Sequence, residues 1–186
     1  CVGGSIYPTN LDIYDDKIYL LDYAMGSVCS MTLQGNILLG PTQIFQGRWS
    51  GNWSAFSIAA SENYVFVGGF TSSSNSYVRQ LDRNTLNQVA LHSNYPTFYS
   101  MSGLDVNADE TKLVTVSHYQ HKICLHSLSG TSLGSCTQVG NGAYGSGNGY
   151  FNYPIDAAFD SNGNIFVNDS ANRRLQKFNS SGVYVT

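Results

Sequence analysis

The stretch GNGYFNYPIDAAFDSNGNIFVNDSANRRLQKFNSSGVYVT, residues 147–186, decides the fold. It holds four short extended runs, at 154–160, 164–170, 173–179 and 182–186, separated by Asn, Gly and Ser turns. A unit of four short strands cannot bury its own faces, so it is stable only when copies of it stack. Copies are present: LDVNADETKLVTVSH at 104–118, FSIAASENYVFVGGF at 56–70 and LDIYDDKIYLLDY at 11–23. They align on Asp12, Ser57, Asp105 and Asp156, which are 45, 48 and 51 residues apart. That spacing suits four-stranded propeller blades and is too long for a leucine-rich repeat. The sequence therefore predicts an all-β chain, a β-propeller of four-stranded antiparallel blades with four blades encoded, at approximately 8–40, 54–93, 102–138 and 152–186 of one domain. Leu11/Ile13, Phe56/Ile58, Leu104/Val106 and Ile155/Ala157 are expected to fill equivalent packing positions.

The ordered set G-x-G-x-F-x-x-P-x-D-x-A-x-D-x-x-G-N-I-x-V-x-D-S-x-N-x-R-x-x-x-F, read from Gly147 to Phe178, resembles the NHL repeat, a propeller unit. The first copy keeps a worn version of it, and the two middle copies keep mainly the hydrophobic pattern. The resemblance implies a ring that usually has six blades, so this chain is expected to be part of a larger or partner-completed ring, with a closed four-bladed ring as the alternative.

With 42% apolar residues the 186-residue chain is not disordered, and its apolar runs are too short to cross a bilayer, so no membrane insertion is expected. Charged residues make up 11%, while 19 Gly and 13 Tyr suit turns and pleated strands. The net charge is −3 and the nine basic residues are scattered, which argues against nucleic acid as a partner. No C-x-x-C pair occurs among Cys1, Cys29, Cys124 and Cys136. An even count with sparse charge points to an oxidising compartment and a secreted, lumenal or extracellular protein. A hairpin centred on Gly130 would set Cys124 directly opposite Cys136, which leaves Cys29 to reach Cys1, to find another chain or to stay free; of the three possible pairings Cys124–Cys136 with Cys1–Cys29 is ranked first, against the alternative of four thiols in a cytosolic propeller. Of the three N-glycosylation triplets, Asn179 in its turn and Asn52 in its loop are expected to carry glycans, whereas Asn168, within a strand, should face a neighbouring blade and stay bare.

The candidate chemistry is thin. His118 and His121 could approach across a hairpin mouth and hold zinc, but His126 should point to the opposite face, and surface hairpin histidines are the plainer reading. Some peptide-amidating lyases that resemble NHL propellers hold zinc through histidines from different blades, a pattern not matched here, where three of the four histidines crowd one blade. Asp12, Asp105 and Asp156 could line a channel and collect calcium, or could tie each blade to its neighbour. No cofactor is predicted, with calcium and zinc as the alternatives. Asp22, Asp160 and Asp169 read as turn and strand-end caps. Trp49 and Trp53 read as wedges in a seam between blades, or alternatively as a sugar-stacking platform. The sequence favours a non-catalytic extracellular interaction or structural scaffold module that binds a protein partner or associates with itself. The rivals are a metal-dependent lyase or hydrolase with a central-channel site, and a carbohydrate-binding propeller.

Overall fold

A computed structural model of the chain describes residues 8–22, 26–43, 53–71, 76–95 and 100–186, with the side chains of 43, 53, 54, 71, 94 and 95 left aside. It is all-β, with no α-helix among the described residues and no helix long and apolar enough to cross a membrane. Four antiparallel sheets follow one another along the chain. The first runs β1 (Pro8–Tyr14), β2 (Lys17–Asp22), β3 (Ser27–Thr32), β4 (Ile37–Gln43), and the second runs β5 (Trp53–Ala60), β6 (Tyr64–Thr71), β7 (Ser76–Asp82), β8 (Gln88–Tyr95). In the third, β9 (Met101–Val106), β10 (Lys112–Ser117) and β11 (Lys122–Ser129) are followed by two short strands, β12 (Ser132–Leu133) and β13 (Thr137–Gln138), both paired to β11. In the fourth, β14 (Asp156–Phe159), β15 (Ile165–Asp169) and β16 (Arg174–Phe178) are regular. The expected fourth strand at 182–186 is reduced to a bridge between Phe178 and Tyr184, with the Val185 N–H donating to the Lys177 carbonyl at 2.8 Å and the Lys177 N–H to the Thr186 carbonyl at 2.7 Å. This is a β-propeller-like succession of blades.

Each sheet has two faces because side chains alternate along a strand. The leading face meets the preceding blade and the trailing face meets the next. Antiparallel pairing lines up Asp105–Val114–Leu125 on the trailing face of blade three and Leu104–Thr115–Cys124 on its leading face. Three apolar cores result, one per seam. Tyr19, Leu21 and Val28 pack on Ile58, Val65 and Val67. Phe66 and Val78 pack on Leu104, Val106 and Leu113, and Val114, Val116 and Ile123 pack on Ala157, Ile165 and Phe178. Leu104, Val106, Ile58 and Ala157 are buried, but Leu11 and Ile13 are each 53% exposed, because the leading face of blade one has no blade against it among the described residues. Ile155 is also exposed and Phe56 only half-buried, since both stand at one rim of the seams.

The anchor residues tie the seams. Asp12 takes its own strand's Ile13 N–H on Oδ1 (2.8 Å) and the Ala60 N–H of blade two on Oδ2 (2.7 Å). Ser57 Oγ accepts the Leu104 N–H of blade three at 3.0 Å. Asp105 repeats the first pattern with Val106 (2.8 Å) and, across the seam, Phe159 of blade four (2.7 Å). Such charge-assisted bonds are strong and directional, so they fix how one blade sits on the next. Asn63, which gives its N–H and Nδ2–H to the Glu110 carboxylate at 2.7 and 2.8 Å, adds a tether at the other rim. Close approach needs small residues beside the ties. A Cβ on Gly103 would lie 2.8 Å from Asp156 Cα and 3.0 Å from the Ile155 carbonyl oxygen, and one on Gly68 would strike Leu104 and Met101.

Gly103→Ala is accordingly expected to cost about 1–3 kcal/mol in urea unfolding, the range of overpacking. Gly40→Ala, in β4 with no atom within 4 Å of the new methyl, serves as the neutral control. A second expectation concerns Asp105, whose carboxyl is pushed up to about 6, chiefly by burial, with the charges of Asp12 and Asp156 adding and the N–H groups of Phe159 and Val106 opposing. Its folded pKa lies above its unfolded one, so the folded state binds the extra proton. The favourable contribution is full below the ordinary carboxylate pKa and is lost as pH rises through about 6. Stability should fall by about 3 kcal/mol across that window on this account. Carboxyl-carbon NMR should find the Asp105 midpoint near 6, and a midpoint in the ordinary carboxylate range would refute the assignment.

Candidate functional site

An up-and-down blade sends every turn between its second and third strands, and every connector to the next blade, to the same end of the molecule. Blade three contributes the β10–β11 turn with His118, Tyr119 and His121; the connector into blade four contributes Tyr144, Tyr150 and Tyr153. These rings meet. His118 lies 4.9 Å from Tyr119 and 5.0 Å from Tyr153 between centroids, and His121 lies 4.5 Å from Tyr153 and 5.0 Å from Tyr144, mostly edge to face. Tyr119 and Tyr144 are more than 60% exposed, at 62% and 67%. Aromatic rings held by one another and still wet on one side are the usual make-up of a contact surface.

Beside this cluster opens a cavity of about 390 Å³ lined by Phe56, Phe70, Ser100, Met101, Ser102, His118, Tyr119 and Ile155. Phe56 and Phe70 stack at 5.0 Å with planes 7° apart and form one wall. No carboxylate, lysine or arginine lines it. Ser102 Oγ is buried there and has no hydrogen-bond partner among the described residues. Three non-glycine residues with left-handed backbone flank the cavity and ring cluster: Ser100 (φ 59°), His121 (φ 54°) and Tyr153 (φ 47°). Such strain persists only where surrounding contacts hold it, and it gathers at functional sites. None of Phe56, Phe70, Met101, Ser102, Tyr119, Tyr153 or Ile155 stood out as a site residue in the sequence. The signal that could have found them is the crowding of tyrosines into segments that all exit at one rim.

The histidines are placed for packing. His118 Nδ1–H donates to the Pro154 carbonyl at 3.2 Å, whereas His121 Nδ1 accepts the Tyr153 N–H at 2.9 Å. The two rings are thus held in opposite tautomers, and burial, with His118 beside it, holds His121 below the usual histidine range. His126 is buried on the leading face, donating Nδ1–H to the Gly134 carbonyl and accepting the Thr115 hydroxyl at Nε2, both at 3.0 Å. Its pKa is lowered, chiefly by burial. No group of three or more His, Cys, Asp or Glu side chains suited to a metal occurs among the described residues. Asp12, Asp105 and Asp156 do share an axial cavity of about 210 Å³ with Ser57, but both oxygens of Asp12 and of Asp105 are taken by backbone N–H groups.

Cys124 and Cys136 are disulfide-bonded with Cα atoms 5.0 Å apart, although the register differs from the one the hairpin suggested. Cys124 pairs with Gln138, because residues 134–136 bulge out between β12 and β13 and bring Cys136 over β11. Cys29 is also disulfide-bonded, and its expected partner Cys1 lies outside the described residues. So do Asn52, Trp49 and the Trp53 side chain. Asn179 is half-buried, not exposed: its Oδ1 accepts the Ser181 and Val183 N–H groups at 3.0 Å each and shapes its own turn. Asn168 is exposed, since no neighbouring blade among the described residues covers that face. Asp160 caps its turn through Asn162 and Asn164 as its sequence position suggested. Asp169 does more. Fully buried, it takes the Asn152 N–H (2.7 Å) and side-chain donors from Asn172, Arg174 and Gln176 (2.8, 2.8 and 3.0 Å), while Arg174 also holds the Gly147 and Tyr150 carbonyls. This hub pins the connector that carries the tyrosines.

Comparison with known proteins agrees with this architecture. The family model of the NHL repeat matches residues 151–178, which run from Phe151 to Phe178, two rings that pack 5.5 Å apart in the last seam. No curated protein matches. Among solved structures, the chain is similar to a functionally unknown protein from Desulfotomaculum acetoxidans DSM 771, with a TM-score of 0.71 at 9% identity over 100% of this chain. It spans 57% of that protein's length. At this identity the likeness concerns the fold alone, and the repeat match ties the fourth blade to the NHL type.

Proposed function

We propose that the chain is a non-catalytic interaction module of an exported protein, and that it holds a protein partner by seating one of the partner's apolar side chains in the rim pocket. The make-up of that pocket carries the reading: aromatic and aliphatic walls from three blades, no carboxylate, lysine or arginine in the lining, and one buried hydroxyl, Ser102, without a mate among the described residues. An apolar side chain gains by leaving water there, and the amide of the same peptide can supply the hydrogen bond that Ser102 lacks. A sugar would bring many hydroxyls to a wall that has few partners for them. The Cys124–Cys136 bond supports an oxidising compartment, where such bonds persist.

Titration of the labelled protein with N-acetyl-tryptophanamide, N-acetyl-leucinamide and simple hexoses, followed by amide NMR, tests the pocket. The acyl amides are expected to shift Met101, Ser102, Tyr119 and Ile155 at millimolar concentration, and Ile155→Asp to abolish the shifts. Shifts caused by hexoses alone would replace this reading with carbohydrate binding. For the compartment, Cys124 and Cys136 should resist alkylation in unreduced protein, and replacing both by Ser should cost about 3 kcal/mol for so short a loop. Free alkylation of both would remove the support for export.

A further inference from the structure

One side of the rim pocket leans on a single imidazole nitrogen. His121 accepts the Tyr153 N–H on Nδ1 at 2.9 Å, while its ring packs 4.5 Å from Tyr153 and 5.0 Å from Tyr144. His121 and Tyr153 both have left-handed backbone (φ 54° and 47°), a conformation that local preference does not supply and that contacts such as this one hold in place. The next residue, Pro154, reaches the pocket: its carbonyl takes the His118 Nδ1–H at 3.2 Å, and His118 lines the cavity. Ile155, also in the lining, is tied separately, its N–H donating to the Asn168 carbonyl at 3.1 Å. The two histidines respond differently to a proton. On His118 the added proton goes to Nε2, and Nδ1–H still donates to Pro154. On His121 it goes to Nδ1 itself, where it sets one donor against another and ends the bond to Tyr153.

We propose that His121 is an acid-sensitive latch on the rim pocket: neutral, it holds Tyr153 and Pro154 and through them the His118 wall, and protonated, it frees that segment and weakens the hold on a ligand. The last step rests on the pocket reading above, whereas the latch itself does not. The titratable and charged groups around His121 are His118 on its own turn, Tyr144 and Tyr153 on the connector, and Asp169 on β15, whose carboxylate is engaged by Arg174 of β16; Lys122 follows at the start of β11. Burial and His118 oppose a positive charge on the ring, Asp169 favours it, and the balance holds the His121 pKa below the usual histidine range. A depressed folded pKa means that the released segment binds the proton more readily than the latched one. The latch is therefore fully closed above the ordinary histidine pKa and is lost as pH falls through the lower folded one.

Amide and imidazole NMR of the free protein between about pH 8 and 5 reads the latch without a ligand. At neutral pH the ring signals should place the proton of His121 on Nε2 and that of His118 on Nδ1, and the Tyr153 amide should move with the His121 midpoint, more than that of Ile155. His121→Asn is the matched variant, because asparagine accepts left-handed backbone and its Oδ1 stands close to the place of Nδ1 but takes no proton. It should keep the neutral-pH Tyr153 shift and lose the acid response, while Asp105, whose carboxyl is pushed up to about 6, titrates alike in both proteins. N-acetyl-tryptophanamide should bind the wild type about tenfold more weakly at the acid end than at neutral pH, and the variant equally at both. A Tyr153 amide that ignores the His121 midpoint, an acid response that persists in His121→Asn, or equal ligand affinity of the wild type at both ends would each overturn the latch. An intact amide response with no ligand bound at any pH would support the latch and overturn the pocket reading alone.

Discussion

Each blade holds the next through a side-chain oxygen that accepts a main-chain N–H across the seam. Apolar packing brings two sheets together but has no preferred direction, so on its own it would let them slide. The bonds from Asp12 to Ala60, Ser57 to Leu104 and Asp105 to Phe159 remove that freedom at the innermost strand. They are expensive to bury, as the raised Asp105 pKa shows, and they persist because each ionised oxygen is met by an N–H that the strand ladder leaves unused. The glycines at 68 and 103 follow from the same requirement, since the strands cannot approach closely enough with a Cβ between them.

Once the blades are locked, topology alone assembles the rim. The β10–β11 turn and the connector at 139–155 both exit at one end, and the Asp169 hub fixes the connector to blade four through Arg174 and Gln176. His118 and His121, with opposite tautomers, act as struts between the two segments. The aromatic pocket is thus built from parts whose positions are set by structural bonds, with Ser102 left over as its polar group.

The repeat was legible because the anchor residues recur with a period and side that only a blade supplies; Ser57, which lacks the carboxylate, still fell into place by spacing. Burial was less legible. Leu11 and Ile13 have the same pattern as Leu104 and Val106, but burial depends on what stands opposite, and pattern says nothing of that. The Cys124 register slipped because the bulge at 134–136 adds residues to one strand without a sequence mark as plain as an Asn-Gly turn. The pocket was not legible at all: Phe56 and Ile155 read as core positions, and only the end of each seam, where the sheets part, turns them toward the cavity.

The ties read the neighbour's main chain and none of its side chains. A strand end offers the same N–H whatever residue carries it, so a blade that keeps one acceptor and a small residue beside it remains compatible with any other blade of the type. Sequence drift in the middle copies, down to a serine in place of an aspartate, is therefore tolerated. Exchange of one blade for another would leave these anchor bonds able to form, whereas side-chain pairs across a seam, Asn63 with Glu110 and Arg83 with Asp15, would have to be matched anew.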